Sequence, residues 1–255
     1  MIRRRASLVL RYLILSDLHS NLHALVAALT AAGGLYDQIV CCGDLVGYGA
    51  HPNETVQWAT KHLRRIVRGN HDKVAVGIDL PEGYNEVAKA SLGWTGRILT
   101  AENRRYLEGL PRGPVAHDGF WLMHGSPIDE DLYLVSEGDA RGMNRYLPGE
   151  INFFGHTHRQ GGFAYFGDSL RMLAQTGQGA LTHTLQLEPG MQYLINPGST
   201  GQPRDGDARA AFCILDREAN QVSFYRTEYD IEGAARSIVD AGLPELLAKR
   251  LFLGK

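Results

Sequence analysis

Residues 12–19 read YLILSDLH, an apolar run that ends in Asp17 and His19. Such a run is typical of a buried strand, and its polar end indicates a turn. The same pattern recurs in four later segments: QIVCCGD at 38–44, RRIVRGNHD at 64–72, FWLMHG at 120–125 and INFFGHTH at 151–158. Because ligands in open α/β sheets bind at the carboxyl ends of the strands, the recurrence predicts one shared site.

The segments between these runs read as helices in the first half of the chain. Residues 21–33 and 52–63 carry apolar positions at helical spacing, so the first seventy residues read as βαβαβ. Residues 84–109 read as two further helices. The later part alternates like antiparallel strands at 163–187 and 209–227 and closes with a helix at 231–251. Periodicity therefore predicts an α/β protein with a mixed sheet.

Composition predicts one domain that spans residues 1–255. The chain is 44% hydrophobic and 21% charged, which allows one sizeable core, and no linker or internal repeat divides it. A formal net charge of −2 provides no global attraction to nucleic acid, so nucleic acid is not an expected partner. Oligomeric state stays open, since antiparallel edge strands can pair between chains.

The N-terminus and the cysteines bear on location. Residues 1–10 superficially imitate a signal peptide, but Arg11 interrupts the apolar run, and the segment is expected to be a flexible tail or an extra strand. No apolar run reaches the roughly 18 residues of a membrane span. Three cysteines do not make a disulfide framework, so a cytoplasmic location is expected, with Cys41 and Cys42 packing on opposite sides of their strand.

The polar ends of the five segments have the composition of a metal site. A pair of divalent ions about 3.5–4 Å apart can clamp the attacking and leaving oxygens of a displacement at phosphorus. Imidazole suits zinc and iron, whereas carboxylate and carbonyl oxygens suit manganese and magnesium. A mixed shell of His, Asp and Asn therefore favours manganese as the cofactor, with iron, zinc or nickel as alternatives.

Taken together, SDLH, CGDL, RGNHD, MHGS and FGHTH resemble the motifs of the calcineurin-like metallophosphoesterase superfamily. The resemblance runs from about residue 13 to residue 199. It is specific because all five blocks occur in order, although a single block would carry little weight. The resemblance implies a four-layer α/β/β/α sandwich, in which two mixed sheets pack face to face with helices outside.

The resemblance also implies a role for each motif residue. One ion would be held by Asp17, His19 and His158, the other by Asn70, His124 and His156, and Asp44 would bridge them. His71 would face the scissile phosphate and act as the catalytic histidine, since its ordinary pKa lies near neutrality. Asp72 is the candidate to orient His71, with capping of a helix start as the alternative.

The expected function is hydrolysis of a small phosphate ester through attack by a metal-activated water. GDLVGYG at 43–49 lacks the arginine of the protein phosphatases, and the closest resemblance is to small bacterial phosphodiesterases of the YfcE type. A phosphodiesterase for a nucleotide-like ester is therefore expected. A phosphomonoesterase and a dinucleotide polyphosphate hydrolase of the same fold are alternatives, as are a nucleotide sensor and a protein-interaction scaffold without catalysis.

Substrate contacts are less defined by the motifs. Arg204, in the turn-rich stretch 194–216, is a candidate substrate-binding residue, with a solvated turn arginine as the alternative. Residues 127–149 are polar, and we expect them to form a rim over the site. The remaining histidines are interpreted as surface or structural residues: His23, His51, His62, His117 and His183.

Overall fold

Two six-stranded sheets form the frame of the computed structural model, which describes residues 10–173 and 179–255. Sheet A has the order β3-β2-β1-β11-β12-β9, and sheet B has the order β4-β5-β6-β10-β7-β8. The strands of sheet A are β1 (Arg11–Leu15), β2 (Gln38–Cys41), β3 (Leu63–Ile66), β9 (Leu181–Gln186), β11 (Ala210–Asp216) and β12 (Gln221–Thr227). Those of sheet B are β4 (Val115–His117), β5 (Phe120–Leu122), β6 (Ile151–Phe153), β7 (Gly161–Phe166), β8 (Ser169–Leu173) and β10 (Gln192–Asn196).

Each sheet contains three adjacent parallel strands, whose carboxyl ends lie at one edge of that sheet. In sheet A, β1 pairs in parallel with β2, and β2 with β3, while β11 runs antiparallel to β1 and β12 antiparallel to β11. In sheet B, β5, β6 and β10 are parallel, and β4 and β7 run antiparallel to them. Both sheets thus offer a set of neighbouring strand ends from which loops can leave.

Helices lie outside both sheets. They are α1 (Leu22–Ala31), α2 (Pro52–His62), α3 (Asn70–Ala75), α4 (Glu86–Ile98), α5 (Ala101–Glu108), α6 (Glu137–Ala140), α7 (Ile231–Asp240) and α8 (Glu245–Leu253), with a 3-10 turn at Met143–Tyr146. The α1 helix begins where the Asn21 side chain accepts the N–H of Ala24 at 3.1 Å. Asn21 is thus an N-cap that satisfies one of the unpaired donors at a helix start.

The apolar residues separate into layers as strand alternation requires. Tyr12 and Ile14 of β1 point inward and pack in one cluster with residues of sheet B such as Phe153. Leu13 and Leu15 point outward and pack with α1, α2, α4 and α5. On the far side, the outer face of sheet B packs against α6 and its neighbouring turns. The predicted four-layer α/β/β/α sandwich is confirmed.

The local predictions hold with one change. Cys41 and Cys42 are buried on opposite faces of their strand, as expected from period-two alternation. The predicted closing helix at 231–251 is two helices, because Gly242 takes φ +70° and Pro244 lacks an N–H to continue the first one. The tail or strand expected at residues 1–10 falls, except for Leu10, outside the described residues. None of the helices in the described ranges has the length and hydropathy of a membrane span.

Candidate metal centre

The predicted donor side chains all follow the ends of parallel strands, six of them in loops and Asn70 at the first position of α3. Asp17 and His19 follow β1, Asp44 follows β2, and Asn70 follows β3. His124 follows β5, and His156 and His158 follow β6. All seven side chains are buried, with residue exposures of 5% or less. The two sheets therefore contribute donors to a single place.

The backbone at these positions is strained. Five of the seven donor residues have positive φ: Asp17 at 53°, His19 at 46°, Asp44 at 55°, His156 at 66° and His158 at 56°. Such angles are uncommon for residues other than glycine, and they cluster at functional sites, where the surrounding structure holds the strain. The inward orientation of these side chains therefore costs the loops some conformational stability.

Four of the donors form one compact group. Donor atoms of Asp17, His19, Asp44 and His158 all lie within 4.8 Å of one another. His19 Nε2 lies 3.0 Å from His158 Nε2 and 3.5 Å from Asp44 Oδ2. His158 Nε2 lies 3.3 Å from Asp17 Oδ1. These spacings suit two imidazoles and two carboxylates around one ion.

The other donors form a second group on the far side of Asp44. Asn70 Oδ1 lies 2.9 Å from His124 Nε2 and 2.9 Å from His156 Nδ1. His124 Nε2 also lies 3.4 Å from Asp44 Oδ2. The Asn70 amide nitrogen donates to the Tyr84 hydroxyl, which turns Oδ1 toward the two histidines. Asp44 Oδ2 is thus within 3.5 Å of a histidine from each group.

Backbone carbonyls orient all four imidazoles. His19 Nδ1 lies 3.0 Å from the Val46 carbonyl, His124 Nδ1 lies 2.8 Å from that of Cys42, and His158 Nδ1 lies 2.6 Å from that of Gln202. His156 is reversed, with its Nε2 3.0 Å from the Asp131 carbonyl. Because a carbonyl only accepts, each of these nitrogens carries an N–H, and in a neutral ring the opposite nitrogen carries a lone pair.

This arrangement fits a cation. With their N–H groups on carbonyls, His19 and His158 direct two lone pairs at each other across 3.0 Å, which is repulsive unless a positive centre lies nearby. Asp17 Oδ2 is buried and has no hydrogen-bond partner among the described residues. Nitrogen and oxygen donors of this kind bind first-row divalent ions, which is what the site's composition indicates.

The pKa values of the histidines in the centre also fit a cation site. Burial lowers the pKa of His19 and His158 below the ordinary value, and burial together with the charge of His124 lowers that of His156 to about 3. Burial opposes protonation of His124 as well, but Asp44 raises its pKa to about 10. Three imidazoles are therefore neutral beside two carboxylates, and neutral imidazole is the form that binds metal.

His71 lies next to the donors, but its ring does not bond to any of the backbone carbonyls that orient the donor imidazoles. Its ring packs 4.8 Å from that of His19 and 4.4 Å from that of Tyr48, measured between centroids. Its Nδ1 is buried without a partner in the described structure, so Nε2 is the nitrogen left for a ligand in the cleft. Burial lowers the pKa of His71 to about 4.

Gly47 sets the position of the His71 ring. A Cβ at this residue would lie 2.4 Å from His71 Nδ1, closer than any real contact allows, and Gly47 has φ +92°. Only glycine combines this close approach with a left-handed backbone. The His71 backbone N–H donates to Asp44 Oδ1 at 2.8 Å, which ties the same residue to the centre.

Asp72 is bonded to backbone. Its carboxylate accepts the N–H groups of Asp44 at 2.9 Å, Leu45 at 2.8 Å, Val46 at 3.2 Å and Gly69 at 3.0 Å. Burial and the charge of Asp44 raise the pKa of Asp72 to about 7, and the four donors favour its ionised form. The geometry matches the alternative interpretation, a cap at the start of α3, and connects Asp72 to Asp44 instead of the His71 ring.

Arg204 lies across the cleft from these loops. Its guanidinium donates to the Tyr48 hydroxyl at 3.0 Å and to Gln202 Oε1 at 3.3 Å, and its charge also interacts with Tyr133. Tyr48 packs at a tilt against His19 and His71, and Tyr133 packs 3.8 Å from the ring of His156. The guanidinium is half-buried and therefore differs from the solvated turn arginine that was the alternative.

A cleft of about 540 Å³ opens above the candidate centre. It is lined by Asn70, His71 and His156 at its base and by Tyr48, Tyr84 and Tyr133 on its sides. Of the predicted rim at 127–149, Asp131 and Tyr133 reach this cleft, whereas Ala140 and Leu147 pack against the outer face of sheet B. The polar composition of the segment did not reveal this division.

Several residues of the site escaped sequence reasoning. Tyr84 has no motif around it, and the carbonyls of Gln202 and Asp131 carry no side-chain signal. The five excluded histidines are not placed in either donor group; His23, for example, faces Asp230 and Ser237. Asn196, which ends β10, donates to the Gly155 carbonyl at 2.8 Å, beside His156.

Comparison with known proteins finds a family whose sequence model matches most of this chain. A sequence model of the calcineurin-like phosphoesterase superfamily domain matches residues 10–220. An uncharacterized protein of Methanocaldococcus jannaschii is 34% identical over 248 residues, which cover 95% of this chain and 97% of that protein.

Solved structures agree with this match. A metallophosphoesterase from Sphaerobacter thermophilus is 36% identical and superimposes with a TM-score of 0.83 over 97% of this chain and 100% of its own. A hypothetical protein from Pyrococcus horikoshii OT3 is 22% identical with a TM-score of 0.74, covering 96% of this chain and 98% of its own, and shares the fold.

Proposed function

The chain belongs to the calcineurin-like phosphoesterase superfamily and is a metal-dependent phosphoric ester hydrolase, and on this premise we propose that it is a phosphodiesterase with two divalent ions. Its proposed substrate is a small, nucleotide-like phosphate ester. The observation that carries the proposal is the convergence of seven buried donors into two groups that share Asp44. Manganese is the proposed metal, because the donors mix imidazole with carboxylate and amide oxygens.

In the proposed site, Asp17, His19 and His158 would hold one ion, Asn70, His124 and His156 would hold the other, and Asp44, which lies between the two groups, would serve both. When bound, such ions would neutralise charge on the phosphoryl oxygens and lower the pKa of an attacking water. The chain contributes orientation, since each imidazole is held through its second nitrogen by a backbone carbonyl.

His71 is the proposed catalytic histidine. Its Nε2 is available to the cleft, and a neutral ring with its proton on Nε2 donates a hydrogen bond to the leaving oxygen as negative charge develops there. Asp72 acts as a positioning residue, because its four backbone contacts hold the loop that carries Asp44.

The cleft supports a substrate with groups on both sides of the phosphate. Its volume of about 540 Å³ falls within the range of small-molecule sites and far exceeds one phosphate group. Tyr84 and Tyr133 provide aromatic surface for an unsaturated ring. Arg204 is the proposed contact to a phosphate oxygen, since its guanidinium has no carboxylate partner in the described ranges. We also place the protein in the cytoplasm, in keeping with three buried, unpaired cysteines.

Hydrolysis assays test this function directly. Metal-stripped protein is assayed on bis-p-nitrophenyl phosphate and p-nitrophenyl phosphate, with and without manganese, beside His71→Ala and the control His62→Ala. We expect manganese-dependent cleavage of the diester, loss of most turnover in H71A with both ions retained, and wild-type rates in H62A. A preference for the monoester would mean that the protein is a phosphomonoesterase and not a phosphodiesterase. Absence of turnover with two ions bound would contradict the proposal that it hydrolyses phosphate esters.

A further inference from the structure

One wall of the cleft carries three basic side chains: Arg204, Arg250 and Lys255. Two segments distant in sequence form this wall. The Gly206 backbone N–H donates to the Gly254 carbonyl at 3.0 Å, which joins the loop after Arg204 to the end of α8. The Lys255 N–H lies 3.3 Å from the Arg250 carbonyl, so both side chains leave one turn of backbone. The three residues are therefore neighbours, and we call them the basic wall.

The basic wall has no carboxylate partner among the described residues. Arg204 bonds the Tyr48 hydroxyl and the amide oxygen of Gln202 and interacts with Tyr133, and none of these groups is charged. No acidic side chain of the described ranges lies within ion-pair distance of Arg250 or Lys255. Cations left unpaired in a concave site are available to an anionic ligand.

Nearby acidic residues are already committed to other cations. Asp205 pairs with the buried Arg226, and Asp207 pairs with Arg209 at 2.6 Å. On the opposite side of the cleft, Asp79 and Asp131 both pair with Lys73. Glu82, on the loop before α4, is the exception, since it lines the cleft and pairs with no cation of the described residues. The acids next in sequence to Arg204 therefore do not cancel the charge of the basic wall, and Glu82 belongs to the same segment as Asp79.

A single scissile phosphate does not account for this wall. The donor groups and His71 already surround the position of that phosphate at the base of the cleft. Arg204 is linked to them through Tyr48, which packs against His19 and His71, whereas no contact in the described residues joins Arg250 or Lys255 to the donors. Guanidinium and ammonium groups that line the cleft beyond the centre suit a second phosphate.

We propose that Arg204, Arg250 and Lys255 form a subsite for a phosphate group that is not cleaved. This inference rests on the proposed function and narrows its substrate class: the natural substrate carries at least two phosphate groups, joined through an anhydride or placed on one small molecule. The scissile phosphate occupies the metal centre, and the second one occupies the basic wall.

Competition by adenosine nucleotides tests the subsite. Inhibition constants of AMP and ADP are measured against hydrolysis of bis-p-nitrophenyl phosphate with manganese in excess, for wild type, the double variant Arg250→Gln/Lys255→Gln, and the control Lys249→Gln. Lys249 lies on the same helix but is exposed and pairs with Glu245 at 3.1 Å. We expect ADP to inhibit wild type and K249Q about tenfold more strongly than AMP, equivalent to about 1.4 kcal/mol.

The double variant should bring the inhibition constant of ADP to that of AMP, because one charge-assisted contact accounts for a difference of about tenfold. The value of kcat/KM for the diester, which has no second phosphate, should stay within about twofold of wild type. Equal inhibition by AMP and ADP in wild type, or unchanged inhibition in the double variant, would overturn the subsite. If wild type fails to cleave the diester, the proposed function fails instead, and calorimetric titration with the same two nucleotides decides the subsite separately.

Discussion

The floor of the cleft and its rim hold their side chains in place by different means. The floor consists of the seven donor residues and His71, all buried, and backbone groups fix every imidazole among the donors. We define the rim as segments 79–85 and 130–133. Its Leu80 and Tyr133 are 64% and 47% exposed, and ion pairs around one lysine connect its two sides.

This difference indicates that the floor carries metal binding and turnover, whereas the rim sets substrate affinity. Three of the four orienting carbonyls, those of Cys42, Val46 and Gln202, belong to buried residues, so the donors that they hold stay oriented whether or not a substrate is present. The fourth carbonyl, that of Asp131, belongs to the rim and orients His156. Side-chain ion pairs at partly exposed positions are weaker and adapt to a ligand. We therefore expect floor substitutions to change metal binding and turnover, and rim substitutions to change substrate affinity.

The largest effect is expected for Asp44→Asn in the floor. The change removes a charged donor that lies between the two groups, so metal affinity should fall beyond the roughly 10–100-fold loss typical of outer-shell partners, and turnover should fall with it. Metal content by mass spectrometry and kcat on the diester give the readouts. Asp37→Asn, at an exposed pair with Arg11, is the control. Full occupancy of both ions in D44N would refute the bridging role.

An intermediate effect is expected for Gly47→Ala, which acts on the floor through His71 alone. The new Cβ would meet His71 Nδ1 at 2.4 Å, so the ring must move and kcat should fall by about 10²-fold or more while both ions stay bound. Gly34→Ala is a matched control, because Gly34 also has positive φ, at +79°, but faces open space.

Both glycine variants should lose about 1–2 kcal/mol of unfolding free energy from left-handed strain. Kinetics, metal content and urea unfolding separate the two contributions. An equal loss of kcat in G34A and G47A would show that strain, and not contact with His71, limits the reaction.

The smallest effect is expected for Lys73→Met, in α3, whose side chain links the two segments of the rim. Lys73 is 5% exposed and pairs with Asp79, Glu130 and Asp131, so it connects both sides of the cleft. Its loss should raise KM several-fold with kcat little changed, and should cost about 1 kcal/mol of stability, since two of its partners are near half exposed.

Steady-state kinetics and urea unfolding measure both quantities. Lys89→Met, at an exposed pair with Glu86, should change neither. A fall in kcat without a change in KM would mean that Lys73 acts on the floor, through the Asp131 carbonyl that orients His156.

The sequence predicted the floor far better than the rim. Asp17, Asp44 and His156 follow predicted strands directly, so periodicity predicted one shared edge for them, and the resemblance to the superfamily named them as candidate donors. The rim residue Tyr84 lies in a loop without a motif, and only part of 127–149 reaches the cleft. Asp72 illustrates the limit within a motif, because the residue pattern did not distinguish a partner of His71 from a cap for α3.

The sequence by itself determined the α/β class and the order of the strands that end in motif residues, because these depend on side-chain spacing over a few residues, and the candidate donors followed from the resemblance of those motifs to the superfamily. The tertiary structure alone decided which carbonyl orients each imidazole, where Arg204 lies, and that a basic wall exists. These contacts join residues far apart in the chain, such as His19 with His158 across 139 positions and Arg204 with Tyr48 across 156. Packing of the two sheets creates such pairs, and no local pattern encodes the distance between them.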